Sequence, residues 1–378
     1  RFRKVGCAAV ARRIADTLAP LAWGRQSGTG GVRCYRALVT CLLVLTGCGD
    51  TSSAPQNLQE YLNRLSTITG MPLPAGSSPQ NESLAIPRGP ILNPPAPSQI
   101  NLIEFLSLSG CELQVNLGRR NTQLGRTASP SQRLLLDLEF LDLAPGCITL
   151  LQERGDTELA NTLEQASKER MDLLTMSLYQ SILQGPEWQL FWERPTTLGD
   201  YPASTSSLIA ESLSRLTDLS TAWLAGDWSA SNREFELLLS DLRAGDGGPL
   251  LLAHYRASSA LQRATELLKG TQSTAPLCPY GQPTDRSRAL EQVVARFLVG
   301  GVQPWLVTLR QRKELLLPPI KKLEQSLASE LTDDYRHWMA TRDAVLDGLN
   351  AVTRSHIAQI QAALAECGGI NRAGQGAH

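Results

Sequence analysis

The sequence predicts an all-α fold, an elongated multi-helix bundle with long antiparallel helices, preceded by a signal peptide and a Pro/Ser-rich tether. Three observations carry this. Apolar residues recur at helical spacing through long runs, as in Leu159, Leu163, Ala166, Leu174, Leu178 and Ile182. Helix boundaries are marked, with Ser129-Pro130 opening one run and Gly185-Pro186 closing another. From Ile100 onward there is no sustained strand alternation and no fixed internal repeat.

In chain order, the first informative stretch is "ALVTCLLVLTGCGD", from Ala37 to Asp50, preceded by Arg33 and Arg36. It is too short for a transmembrane helix, which takes about 20 apolar residues. A basic segment, a short apolar core and small residues before Cys48 describe a secretory signal. Residues 32–47 are therefore expected to be a signal peptide, and residues 1–31 an upstream extension, with synthesis starting near Val32. An ordinary cleaved signal with an unmodified cysteine is the alternative.

Residues 48–99 are expected to form the anchor and tether. "NLQEYLNRLSTITG" places Leu58, Tyr61, Leu62 and Leu65 at helical spacing, and Gly70 offers a stop. From Met71 to Ser98 the chain is dense in Pro, Ser, Asn and Gly, which favours extended polyproline conformations. Ile86, Ile91 and Leu92 leave open the alternative that this segment packs back along the body.

The helical body is expected over 100–367. In "SPSQRLLLDLEFLDLAPG", Ser129 caps, Pro130 takes the first helical position, Gln132 completes a capping box, and Pro145-Gly146 ends the helix. Asp156 is expected to cap one long helix reaching Gln184. Helices follow near 205–225, 230–243 and 249–269, and "DRSRALEQVVARFLVGG" opens the last third. Pro304 restarts a helix, Pro318-Pro319 breaks or kinks it, and helices follow near 319–331 and 333–366. A seam between two subdomains is possible near 271–284, and residues 368–378 read as a disordered tail.

Charge excludes one class of partner. The chain has 36 basic and 36 acidic residues, and residues 1–47 hold eight of the former and one of the latter. From residue 48 onward the formal net charge is thus 28 − 35, or −7. A nucleic-acid binder carries a basic surplus or stripe, so nucleic acid is set aside.

Cysteine usage agrees with export. Cys111, Cys147, Cys278 and Cys367 remain after Cys48, and in an oxidising compartment four cysteines suggest two disulfides with three possible pairings. The favoured pairing joins sequence neighbours, Cys111–Cys147 and Cys278–Cys367. A four-cysteine zinc site is the alternative, and it lacks the close CxxC spacing such sites favour.

Catalytic signatures such as GxSxG, HExxH, Walker A and the Rossmann glycine set are missing from the sequence. The expectation is a chain that is no enzyme, with no metal and no cofactor. His254 and His356 fall on apolar stripes and read as core histidines, while Asp333 and Asp334 suit a helix N-terminus better than a metal site with His337.

Two constellations could bind a ligand. "SGCELQVNLGRRNTQLGRTASPSQ" carries Arg119, Arg120, Asn121 and Arg126 between loop-competent glycines, and guanidinium forks suit phosphate or carboxylate. The competing reading is a turn whose arginines pair with Glu112, Asp137 or Glu139. In "GPEWQLFWERP", Trp188 and Trp192 lie one helical turn apart and could stack on a glycan or clamp a peptide, or else fill a gap between helix ends.

Leu45-Thr46-Gly47-Cys48 resembles the lipobox of bacterial lipoproteins. With the "SGCELQ…LGRRNTQLG…SQRLLLDLEFLDLAPGC" block and the helical remainder, the chain resembles an uncharacterised lipoprotein family of gamma-proteobacteria, a domain of unknown function. The resemblance implies that Cys48 is the lipidated N-terminus, and it supplies no catalytic residues. Two or more acyl chains give stable anchoring. Gly49 after the cysteine suggests the periplasmic face of the outer membrane, although Asp50 weakens that reading. The expected function is a lipid-anchored envelope protein presenting a helical surface to an envelope protein partner. The alternative is a periplasmic ligand-binding module for an anionic or glycan ligand.

Overall fold

A computed structural model of the 378-residue chain describes residues 54–74, 84–88, 102–203, 205–274, 276–365 and 367. The signal peptide, Cys48, and the tail after 367 lie outside the described residues. So do residues 48–53, 75–83 and 89–99 of the expected tether. Everything described belongs to one unit, Ser53–His378.

Among the described residues the fold is all-α. The helices are α1 Ala54–Thr69, α2 Leu102–Ser107, α3 Leu113–Asn121, α4 Gln123–Arg126, α5 Pro130–Glu153, α6 Thr157–Asp172, α7 Leu174–Ser181 and α8 Pro186–Phe191. They continue with α9 Leu208–Leu224, α10 Asn232–Arg243, α11 Gly247–Thr274, α12 Asp285–Val293, a π-helix over Val294–Val302, α13 Gln303–Ser326 and α14 Asp333–Ala365.

The tether expectation needs correction over its described part. Helix α1 packs against α11 and the π-helix. Its stripe of Leu58, Tyr61, Leu62 and Leu65 is at most 5% exposed. Four large side chains on one face cannot be left in water without losing roughly 1.5–3 kcal/mol each. Further along, Leu84 is buried and its carbonyl accepts from Trp338 Nε1 at 3.3 Å, while Arg263 Nε donates to Pro74 O at 2.9 Å.

The core has two parts, and their division is not at the expected seam. Leu277 and Cys278, inside 271–284, belong to the main core. The smaller cluster joins α3, α5 and α6 through Leu113, Leu117, Phe140, Ala144, Leu151 and Leu163. Helix α5 runs through both: Leu134, Leu135 and Leu138 face the main core, and Phe140, Ala144, Cys147 and Leu151 face the smaller one. Each part holds one disulfide, Cys111–Cys147 in the smaller and Cys278–Cys367 in the main core. Their Cα separations are 5.4 and 5.2 Å, within the normal range.

Several helix boundaries depart from the local signals. Pro145 sits inside α5, and Pro318 and Pro319 sit inside α13. In α13 the neighbours Leu316, Leu317 and Ile320 are buried, and Thr217 Oγ1 of α9 donates to Pro319 O at 3.3 Å. Packing along the helix outweighs the lost backbone bond. Ser129 does cap α5, accepting from Gln132 N at 3.3 Å. The Gln132 side chain does not close a capping box; it crosses to Asn232 and Glu236 of α10. Asp156 makes no side-chain cap bond, and the long helix expected after it breaks at Leu173.

The last third is continuous from Asp285 to Ser326. The expected restart at Pro304 is instead a change of helix width. Gln303 N–H donates to Leu298 O, five residues back. The wide turns end where Pro304 has no N–H to offer the carbonyl four residues behind it.

Candidate functional site

The arginine segment is neither a loop nor a free anion site: Arg119 and Arg120 lie in the last turn of α3 and Arg126 ends α4, with Gly118 and Gly125 inside those helices. Arg119 donates to Glu139 and Arg120 to Asp137, both short charged contacts from α3 to α5. Asp137 also meets Arg170 Nε at 3.3 Å. Arg170, only 6% exposed, lies over the Phe140 ring at 3.7 Å from its centroid and donates to Ala166 O at 2.8 Å. Burial lowers its pKa to about 10, against the pull of Asp137. Asn116, which carried no signal in the sequence, is fully buried and bridges Leu136 O and Glu139 Oε2 at 3.0 and 2.8 Å. Asn121 and Arg126 stand exposed on the next turns. The carboxylates of one helix thus neutralise the two arginines expected to receive a ligand.

The tryptophan pair is not an open aromatic site either. Trp188 and Trp192 are 0% and 2% exposed. They pack with Phe191 and Trp338 at ring separations of 5.0 to 6.0 Å. Gly245 and Gly247 sit against the Phe191 ring so closely that a Cβ at either would collide with it. Trp188 Nε1 donates to the Tyr335 hydroxyl at 2.9 Å, and Tyr335 donates to Glu324 Oε1 at 3.1 Å. Arg342 completes the network with two bonds to Glu324 at 2.5 and 2.9 Å, its guanidinium also facing Trp192 and Trp338. Burial pushes Arg342 down, and the Glu324 carboxylate more than reverses it. A second buried pair, Arg312 with Asp246, ties α13 to the start of α11 at 2.5 and 2.9 Å, with Tyr201 donating to Asp246 at 2.8 Å. Both networks join residues far apart in sequence, which is why sequence spacing does not reveal them.

The histidines stand where the apolar stripes put them. His254 and His356 are 2% and 1% exposed, and burial lowers both to about 4. His356 is held at both ring nitrogens, Nε2 by the Tyr61 hydroxyl at 2.8 Å and Nδ1 by Thr265 Oγ1 at 3.0 Å. Asp333 and Asp334 open α14, where Asp333 accepts from Arg336 at 2.9 Å. Among the described residues, no group of three or more His, Cys, Asp or Glu could hold a metal ion, and no helix is long and apolar enough to cross a membrane.

The feature with the shape of a binding site lies elsewhere. A cleft of about 330 Å³ opens between α13, α14 and the π-helix. Leu261 of α11 and neutral His356 form part of its lining. The π-helix contributes Val294, Leu298 and Val299; α13 contributes Gln303, Leu306, Val307 and Arg310. The α14 wall repeats at helical spacing through Leu349, Thr353, Ile357 and Ile360. Val299, Val307 and Ile357 on the lining are 51%, 39% and 45% exposed. Size and lining match the usual small-molecule pocket, largely apolar with a few polar groups. Of these walls, the apolar stripe of α14 beside His356 was legible in the sequence. That the faces stop short of one another was not.

No curated protein and no solved structure matches the chain. The family model described as a protein of unknown function (DUF3080) matches residues 58–370, from within α1 to just past Cys367. By that match, which takes in the main core, the smaller core and the cleft, the chain belongs to the DUF3080 family.

Proposed function

We propose that this chain is a lipid-anchored binding protein of the bacterial envelope, acting without catalysis. The anchor is Cys48, following the lipobox, on the periplasmic face of the outer membrane. The body holds another envelope component at the cleft between α13, α14 and the π-helix. One observation carries this reading: three apolar side chains, Val299, Val307 and Ile357, stay exposed together around an apolar recess. Clustered exposed apolar surface marks binding sites far more than scattered single residues do. The π-helix beside it supports the same reading, since π turns often accompany function.

The test has two arms. Intact-mass analysis of the protein from membranes should find Cys48 carrying acyl chains, and an unmodified Cys48 in a freely dissolved protein removes the anchor. A photo-crosslinking residue placed at Val307 in cells should capture an envelope component that the same residue at exposed Arg126 of α4, outside the cleft lining, does not. Equal labelling from both positions removes the cleft as the binding face.

A further inference from the structure

We propose that the cleft holds a single-chain amphiphile with an anionic head, its alkyl tail along Leu306, Val307 and Ile357 and its head at Arg310. This deepens the reading of the cleft as the binding face and rests on it.

The register of α13 and α14 gives the cleft two distinct ends. Lys313 Nζ meets Asp347 Oδ1 at 2.9 Å across the antiparallel hairpin. Three residues away from that bridge on each helix stand Arg310 and Asn350, so they share one end. Gln303 lies two turns further along α13, about 10 Å away at 1.5 Å per residue, and shares the other end with Ile357 and Gln361. Between the ends the walls are apolar except for Thr353 and the buried His356. A short hydrocarbon tail fits that span, and a compact polar ligand would leave its own groups without partners there.

Charge complementarity selects the head. Arg310 is the only charged side chain among the described lining residues. Its nearest carboxylate, Glu314, is 3.6 Å away, and both side chains are more than half exposed. Such a pair is weak and leaves the guanidinium fork open to a carboxylate or phosphate. Asn350 beside it adds an amide donor. Burial among Tyr61, Thr265 and the core keeps His356 neutral at neutral pH, so it adds no charge to the tail region.

The test uses the full chain carrying Cys48→Ser, exported so that its disulfides form. It is titrated with decanoate, decyl phosphate and 1-decanol, followed by calorimetry and native mass spectrometry. Saturable one-to-one binding of either anion, at least about tenfold tighter than decanol, is the expected result. Decanoate and decyl phosphate distinguish a fatty-acid head from a phosphate head. Arg310→Gln should weaken the anions about tenfold and leave decanol unchanged. Ile357→Asp should abolish all three. Both positions are exposed, so circular dichroism should find the fold intact. Equal affinity for anion and alcohol, or indifference to Arg310→Gln, overturns the anionic head. Failure of all three to bind overturns the inference. If the Val307 crosslink then still captures an envelope component, the binding role of the cleft stands while the amphiphile does not.

Discussion

The Tyr61 hydroxyl and His356 Nε2 lie 2.8 Å apart across 295 positions of chain. Tyr61 belongs to a helix whose sequence reads as the start of a tether, and His356 to the last long helix of the body. Their bond makes α1 part of the fold and places it behind the cleft. Thr265 holds the other side of the ring at 3.0 Å, so three helices meet at one imidazole.

Removing the hydroxyl should therefore be felt by the whole body. Tyr61→Phe leaves a buried ring nitrogen without its partner, at about 1–3 kcal/mol. Urea unfolding of the exported chain should find a lower midpoint and an unchanged slope. A deletion of 54–69 should prevent cooperative folding, because it removes four core side chains at once. A fully stable deletion variant would return α1 to the tether.

The two buried histidines set an acid limit on stability. Both are lowered from 6.5 to about 4 by burial, so the unfolded chain takes up protons before the folded one does. Their stabilisation is complete above pH 6.5 and is lost as pH falls from there towards 4. At about 1.4 kcal/mol per pH unit the loss is on the order of 3 kcal/mol for each. Thermal unfolding between pH 7.5 and 4.5 measures it, and His356→Gln should flatten the lower part of the curve.

Glu324 and Arg342 should fail singly and tolerate joint replacement. They are 1% and 0% exposed. Glu324→Leu leaves the buried guanidinium with only the half-buried Asp343 carboxylate at 2.9 Å and strips the acceptor from the Tyr335 hydroxyl, at about 3 kcal/mol or more. Glu324→Leu with Arg342→Met should recover most of that, since an apolar pair of similar volume costs little in such a place. A double-mutant cycle in urea gives the coupling directly.

The ion pairs between α3 and α5 should divide sharply by burial. Arg119→Ala removes an exposed pair and should cost less than about 1 kcal/mol. Asp137→Ala strips the carboxylate from Arg170 and Arg120 together and should cost about 3 kcal/mol or more. Equal small effects at both positions would mean that Arg170 finds another partner.

Each disulfide should protect its own part of the core. Cys111→Ser with Cys147→Ser should loosen α3, α5 and α6 in hydrogen exchange before the rest of the body. Cys278→Ser with Cys367→Ser should lower the stability of the main core. Either loss is about 2–5 kcal/mol.

The helices, their apolar faces and the core positions of His254 and His356 were determined by sequence alone. Period, caps and glycine stops act within a few residues, so they can be read in place. The favoured pairing of four cysteines between sequence neighbours also matches the structure. What lies many residues away decided the rest. Whether Pro145 or Pro318-Pro319 ends a helix depends on what packs against it. Whether Arg119 and Arg120 are free depends on carboxylates brought across from α5. Trp188 and Trp192 became core because α11 and α14 close over them, while Val299, Val307 and Ile357 stayed open because α13 and α14 do not close along their whole length. Local sequence sets which face of a helix is apolar; only the assembled helices determine how much of that face finds cover.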